Sequence, residues 1–381
     1  MTYFVILFAR GYRPNRDSGG SLQPTGILAA TSFPDGAQLY INSQFRSATN
    51  SNVNLTPGTY EVEIKKDTYF PWKKTVEIKP EEVSRTQAVL FPTVPSLRAI
   101  TTAGADLPTL SPDGTKVVFI QTQTNRTTAV FLLDLTDSPL GILNRDPKLL
   151  SSLSTKISGL KWSPDSKQVV LSASNSSYIV DVSAGNPQPT NITTDLPSLL
   201  AGWEKIQQTR ESLKFAALPK SLQEILASSA AGLVWSPKET KVMYTATASA
   251  TISDNLVRQL PGSSTQTQQR NLKPGNVYVY DLEEDRNFAI GSVKFEIRKG
   301  NFEIIEPHRL SWFPTSAHFI KVDQGAVTIT EYDTQNPTVV YSGPMEDGYA
   351  LPYPSGRQLL ILSNLNPTLS KIANLYAVSL R

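Results

Sequence analysis

The stretch Thr109–Ile120, TLSPDGTKVVFI, decides how the rest of the chain is read. It gives a short strand, a tight Ser-Pro-Asp-Gly turn, and then a strongly apolar strand. Pro112 presets φ and Gly114 supplies a positive φ, which together suit a β-turn. The phrase returns at Leu160–Leu171 (LKWSPDSKQVVL) and at Leu233–Tyr244 (LVWSPKETKVMY). Looser copies stand at Leu310–Ile320 (LSWFPTSAHFI) and Ala350–Ile361 (ALPYPSGRQLLI). After each copy comes an alternating strand that usually ends in Asp: FLLDL at Phe131–Leu135, YIVDV at Tyr178–Val182, VYVYDL at Val277–Leu282 and ITEYD at Ile329–Asp333. The last is LYAVSL at Leu375–Leu380. Five such copies indicate a radially repeated β-architecture.

Working outward, the prolines Pro112, Pro164, Pro237, Pro314 and Pro354 are unevenly spaced, so insertions flank the third copy. The first insertion, 202–229, carries Trp203, Ile206, Leu213 and Ala217 at helical spacing. Pro219 then opens a second helical run with Leu222, Ile225 and Leu226. These helices are expected to pack on a face of the repeat domain. The second insertion, 251–275, is rich in Ser, Thr and Gln and reads as a long polar loop. The chain ends one strand short of a full fifth repeat, and Leu97–Thr102 (LRAITT) precedes the first repeat. That strand is expected to complete the last repeat, which removes two exposed sheet edges.

Ahead of the repeats, Gly26 to about Leu90 forms a smaller unit. ILAATSF leads into Pro34-Asp35-Gly36-Ala37, then QLYIN and Leu55-Thr56-Pro57-Gly58. TYEVEIKK and KKTVEIK follow. Alternation over Tyr60–Lys65 places Tyr, Val and Ile on one face and Glu and Lys on the other, as in half-buried strands. PDGA at Pro34–Ala37, LYIN, LTPGTYEVEI at Leu55–Ile64 and TYFPW at Thr68–Trp72 occur in order. On these landmarks residues 26–93 resemble a PEGA domain, a small β-sandwich-like module. Thr68 stands where that family usually has glycine, read as a changed turn without consequence for the fold. The resemblance implies a non-catalytic, usually extracytoplasmic module. Tyr69, Phe70 and Trp72 are the candidate binding residues, as an aromatic patch facing a ligand. The competing reading has them filling the small core and its contact with the next domain.

Residues 94–381 resemble TolB-like and WD-type propeller repeats, with SPDG at Ser111–Gly114 and WSPD at Trp162–Asp165 the best matches. The expected fold is all-β: the PEGA-like module plus a β-propeller of five blades, six being the alternative, with a short helical insertion near the third.

Met1–Ala9 (MTYFVILFA) is apolar and meets Arg10, Tyr12 and Arg13 at once. A bilayer span needs about 20 apolar residues, so the segment is too short to cross. It reads either as a strand or, as we favour, as the tail of a membrane helix with a basic-aromatic flank at the interface. Residues 1–25 are therefore expected to be a partial membrane anchor and linker.

A net charge of +3 with scattered Lys and Arg does not indicate nucleic-acid binding. With no cysteine and two histidines, His308 and His318, thiolate and His-rich metal sites are not expected. No cofactor motif is found. Glu283, Glu284 and Asp285 form the tightest acidic cluster, expected to be a solvated turn rather than a calcium site. Asp134, Asp181, Asp281 and Asp333 recur at strand ends, expected to cap turns. His308 and His318 read as structural. The expectation is a membrane-anchored, extracytoplasmic, non-catalytic binding or scaffold protein of the cell envelope, recognising an envelope protein or wall polymer. The alternatives are a polysaccharide-active propeller with carboxylates about 5 to 10 Å apart in its channel, and an extracytoplasmic sensor domain.

Overall fold

A computed structural model describes residues 12–14, 22–122, 127–137, 146–183, 187–258, 265–298, 301–306, 310–346, 348–366 and 372–381. The apolar segment read as a membrane anchor, residues 1–9, lies outside them, as does His308. No helix among the described residues is long and apolar enough to cross a membrane.

The first module is two sheets face to face. Gly26–Phe33 pairs antiparallel with Ser51–Leu55 and parallel with Val83–Val89. The opposing sheet orders Gln44–Ala48, Gln38–Ile41, Gly58–Lys65 and Trp72–Ile78. Leu28, Leu39, Ile41, Val62, Ile64, Trp72 and Ile78 close the core between them. The alternation read over Tyr60–Lys65 breaks at Glu63. It is buried, with Lys65 at 2.8 Å and Lys73 at 3.1 Å to compensate its charge.

The second module contains five further four-stranded antiparallel sheets among the described residues. The first runs Asp106–Leu110, Lys116–Thr122, Thr128–Asp134 and Lys148–Leu153. The second runs Ile157–Trp162, Gln168–Ala173, Ser177–Asp181 and Thr190–Asn191. The third runs Ala230–Trp235, Lys241–Ala246, Asn276–Asp281 and Arg286–Ser292. The fourth runs Leu310–Trp312, His318–Asp323, Ala326–Glu331 and Thr338–Ser342. The fifth comprises Ala350–Pro352, Gln358–Ser363 and Asn374–Ser379, and its fourth strand is Leu97–Ala99. The N-terminal strand thus completes the C-terminal blade of a β-propeller, and the edge of Asn374–Ser379 is paired, as the sequence indicates.

All five copies of the phrase form one hairpin, whatever their residues. The first turn residue donates its N–H to the carbonyl five positions on: Ser111 to Lys116, Ser163 to Gln168, Ser236 to Lys241, Phe313 to His318 and Tyr353 to Gln358, at 2.8–2.9 Å. The fourth turn residue is left-handed throughout, with φ of +71° at Gly114, +60° at Ser166, +58° at Glu239, +61° at Ser316 and +66° at Gly356. In the first copy the Ser111 hydroxyl donates to Asp113 at 2.6 Å and accepts from the Lys116 amide at 3.0 Å. Ser163 repeats this with Asp165 and Gln168. The fourth and fifth copies keep the backbone geometry without that serine.

Strand side chains alternate between two apolar faces. Val117 and Phe119 pack on Leu360, Leu375 and Ala377 of the fifth blade. Val118 and Ile120 pack on Trp162, Val169 and Leu171 of the second. The fourth and fifth blades meet through Ile320, Ile329, Leu359 and Ile361. The third and fourth meet through Met243, Val279, Trp312 and Phe319. The other face of the third blade, with Val242, Tyr244 and Tyr280, is covered by Leu218, Leu222 and Leu226 of the helical insertion.

That insertion comprises α1, Leu196–Ala216, and α2, Lys220–Ser229. Helix α1 starts before position 202, the expected beginning of the insertion, because Pro197 suits a first helical turn. Its apolar spacing does not make a buried stripe. Trp203 is its one buried residue, whereas Ile206 and Leu213 are exposed. At the ends of the polar loop, Ala250–Thr251 pairs with Asn271–Leu272.

Candidate functional site

Three places carry chemistry: the joint between the modules, the carboxylates at strand ends, and a cleft beneath α1.

The joint begins in the aromatic run. Thr68 has φ +69°, a conformation costly for a β-branched residue. The fold is kept, yet the backbone accounts for glycine being the usual residue there. Past this turn Tyr69 bridges to Pro92, and the Phe70 amide donates to Phe91 O at 2.9 Å. Phe91 enters the propeller core, edge-on to Phe313 and His318. Trp72 is buried in the sandwich and its indole Nε1 donates to Glu331 Oε1 of the fourth blade. Tyr69 is half-buried against the same core, and Phe70 is partly exposed. The three candidate residues therefore do not share one exposed patch; Trp72 faces the other module instead.

Beside Trp72, Lys74 Nζ lies 2.7 Å from Glu331 and 2.6 Å from Asp333, with all three side chains largely buried. Asn336 Nδ2 donates to Glu331 at 2.9 Å, and its Oδ1 accepts from the Lys73 amide at 2.9 Å. Burial opposes the charge on Lys74, but Glu331 and Asp333 outweigh it and hold its pKa well above the ordinary value. Burial also works against Glu331, and the Lys74 cation together with the Trp72 hydrogen bond reverses that, leaving its carboxyl below the usual range. Burial depresses the pKa of His318 despite Glu331 close by, so the ring is neutral at pH 7. Its Nδ1 shares a 2.9 Å hydrogen bond with Thr315 Oγ1. His318 is thus a buried member of this joint.

The recurrent aspartates cap their turns. Asp134 accepts from the amide and hydroxyl of Thr136, and Asp181 from those of Ser183. Asp281 accepts from the Glu283 and Glu284 amides, and Asp333 from the Gln335 amide. The acidic cluster departs from a solvated turn. Asp285 is fully buried, ion-paired with Arg270 at 2.9 Å, and accepts from Asn255 N and Tyr280 Oη. Arg270, of the insertion, reaches it, which spacing along the chain does not reveal. Among the described residues no group of His, Asp or Glu is arranged to hold a metal ion.

The cleft lies where α1 crosses the second and third blades. Arg210 donates to Pro164 O at 2.7 Å and Lys214 pairs with Glu239 at 2.7 Å, so the helix is fastened to the turn of each blade. Beneath it is a cavity of about 530 Å³ with Trp162, Trp203 and Trp235 in its walls. The aromatic content of this cleft escapes sequence reading because the three tryptophans belong to three separate elements.

Residues 25–93 match the PEGA domain family. No curated protein matches the chain. Among solved structures, TolB from Acinetobacter baumannii is 15% identical, with 84% of this chain and 59% of that one covered and a TM-score of 0.20. The chain thus spans less than two thirds of that protein's length. The β-propeller domain of the Trilobed protease from Pyrococcus furiosus is 11% identical, covering 93% and 95%, at a TM-score of 0.20. A putative TolB from Agrobacterium tumefaciens is 12% identical, covering 72% and 78%, at 0.22. At such scores the architecture rests on this chain's own strand pairing, and the family match covers its first module: residues 25–93 are a PEGA domain.

Proposed function

We propose that this is a non-catalytic binding or scaffold protein of the cell envelope, presenting its PEGA domain and propeller to an envelope protein or a wall polymer. The observation that carries the reading is the joint. Trp72 and Lys74 of one module are bonded to Glu331 and Asp333 of the other, so two binding surfaces are held at a fixed angle. A scaffold needs such rigidity to present both surfaces together. The capped aspartates support binding over carboxylate-driven hydrolysis, since Asp134, Asp181, Asp281 and Asp333 are engaged by their own turns. The PEGA match supports an extracytoplasmic setting, with the apolar N-terminal segment as the membrane attachment.

The test is retention on the immobilised full chain of solubilised envelope proteins and, separately, of purified wall polymer. Saturable retention of one protein, or of polymer left chemically unchanged, supports the proposal. Release of soluble fragments from the polymer overturns the non-catalytic reading.

A further inference from the structure

Three of the five blades carry a tryptophan just before the turn, and one of the three lacks the bond that the other two make across their seams. In the second blade, Trp162 stands just before the turn, and its Nε1 donates to Thr109 O of the first blade at 3.0 Å. In the fourth blade, Trp312 occupies the same place and donates to Val234 O of the third at 3.1 Å. A second bond accompanies each: Ser166 Oγ accepts from Asp113 N, and Ser316 Oγ accepts from Lys238 N. The third blade also carries a tryptophan in this place, Trp235, and the corresponding acceptor on the second blade is Lys161 O. Among the described residues the Trp235 indole N–H has no hydrogen-bond acceptor. Glu239 stands where Ser166 and Ser316 stand, so the second bond is missing too. Helix α1 spans the two turns through Arg210 and Lys214, and its buried Trp203 lines, with Trp162 and Trp235, the cavity of about 530 Å³, which has the size of a ligand site.

The two sibling tryptophans specify what suits this place. Each takes a peptide carbonyl from an extended strand, and strand backbones turn alternate side chains to opposite sides. We propose that the cleft binds an extended polypeptide segment of a partner protein. One of its backbone carbonyls accepts from Trp235 Nε1, and its alternate apolar side chains rest on Trp162 and Trp203. Pro112 and Leu233 extend the apolar wall, and Gln207 of α1 stands at the edge. This is the aromatic-groove mode of peptide recognition, reached here by opening a blade seam. It rests on the binding function proposed above and names the site and ligand class.

The test pans a random-peptide phage library on the immobilised full chain and titrates the selected peptides, as synthetic molecules, against variants. Trp235→Phe keeps the ring and deletes the donor, so affinity should fall about tenfold, the worth of one hydrogen bond. Trp312→Phe, whose donor is engaged within the protein, should bind as the parent does. Gln207→Arg crowds the cleft from an exposed helix position and should give a similar loss; it decides the matter if Trp235→Phe does not fold. Failure to select any peptide, or equal affinity for the parent, Trp235→Phe and Gln207→Arg, overturns the proposal. So does a result in which Trp235→Phe weakens wall-polymer fragments and leaves peptides unaffected. If an envelope protein is retained equally by the parent and both cleft variants, the cleft assignment falls while the scaffold function stands.

Discussion

The first–second and second–third seams both use the Trp-before-turn phrase of the downstream blade, yet one is closed and the other open. In the first, apolar strand faces interdigitate directly, and Trp162 and Ser166 each add a hydrogen bond across the seam. In the second, Leu218, Leu222 and Leu226 of the helical insertion cover the third blade's face, Glu239 replaces the serine, and among the described residues the Trp235 indole N–H has no acceptor. A repeat does not guarantee a repeated contact. An insertion in one interval is enough to turn structural atoms into available ones.

Large effects should come from the closed seam. Leu171→Ala removes a fully buried side chain from the first–second core and should cost about 2–5 kcal/mol in denaturant unfolding. Trp203→Ala should change the main transition by less than about 1 kcal/mol, because α1 can detach locally; faster proteolysis within α1 should report the change. A large, cooperative loss from Trp203→Ala would show that the open seam is as integral as the closed one.

A charged contact sharpens the same comparison. Lys74→Ala leaves Glu331 and Asp333 buried without their cation and should cost about 3–5 kcal/mol. The pH dependence follows from the directions of the shifts. His318 is depressed from 6.5, so the unfolded chain binds its proton first, and stability should begin to fall as pH drops through 6.5. Glu331 is depressed from 4.5, so its contribution is complete above that value and is lost as pH falls further, through the lowered folded pKa. Thermal melts across this range should show both steps, and His318→Gln should lack the first.

Smaller effects separate the indoles. Trp162→Phe and Trp312→Phe should each lose about 1 kcal/mol with their carbonyl bonds, whereas Trp235→Phe should melt with the parent. Equal losses from all three would mean that the Trp235 donor is engaged within the protein after all. Thr68→Gly should stabilise by about 1 kcal/mol in the same assay, by relieving a left-handed β-branched residue.

Much of the blade architecture is legible in the chain because its causes are local. Pro112 and Gly114 set a turn, alternation marks the flanking strands, and a missing fourth strand at one end matches LRAITT near the other. Even the weak copies at Phe313 and Tyr353 keep the same backbone bonds, since a left-handed fourth turn residue suffices. Other features have no local cause. Glu331 shares its strand face with the buried Val327 and Ile329, and only folding brings Trp72 and Lys74 to it across more than two hundred residues of chain. Asp285 reads as a turn acid until the insertion brings Arg270 to it. Ile206 and Leu213 show helical spacing, but α1 offers no neighbour to bury them.

The sequence by itself thus determined the turns, the strands, the PEGA domain and the closure of the fifth blade, because dihedral preference and apolar period act between near neighbours. Tertiary structure alone decided which charges became buried partners and which tryptophan remained open. Those outcomes depend on distances between remote segments, and the desolvation that makes such contacts matter exists only once the chain has packed.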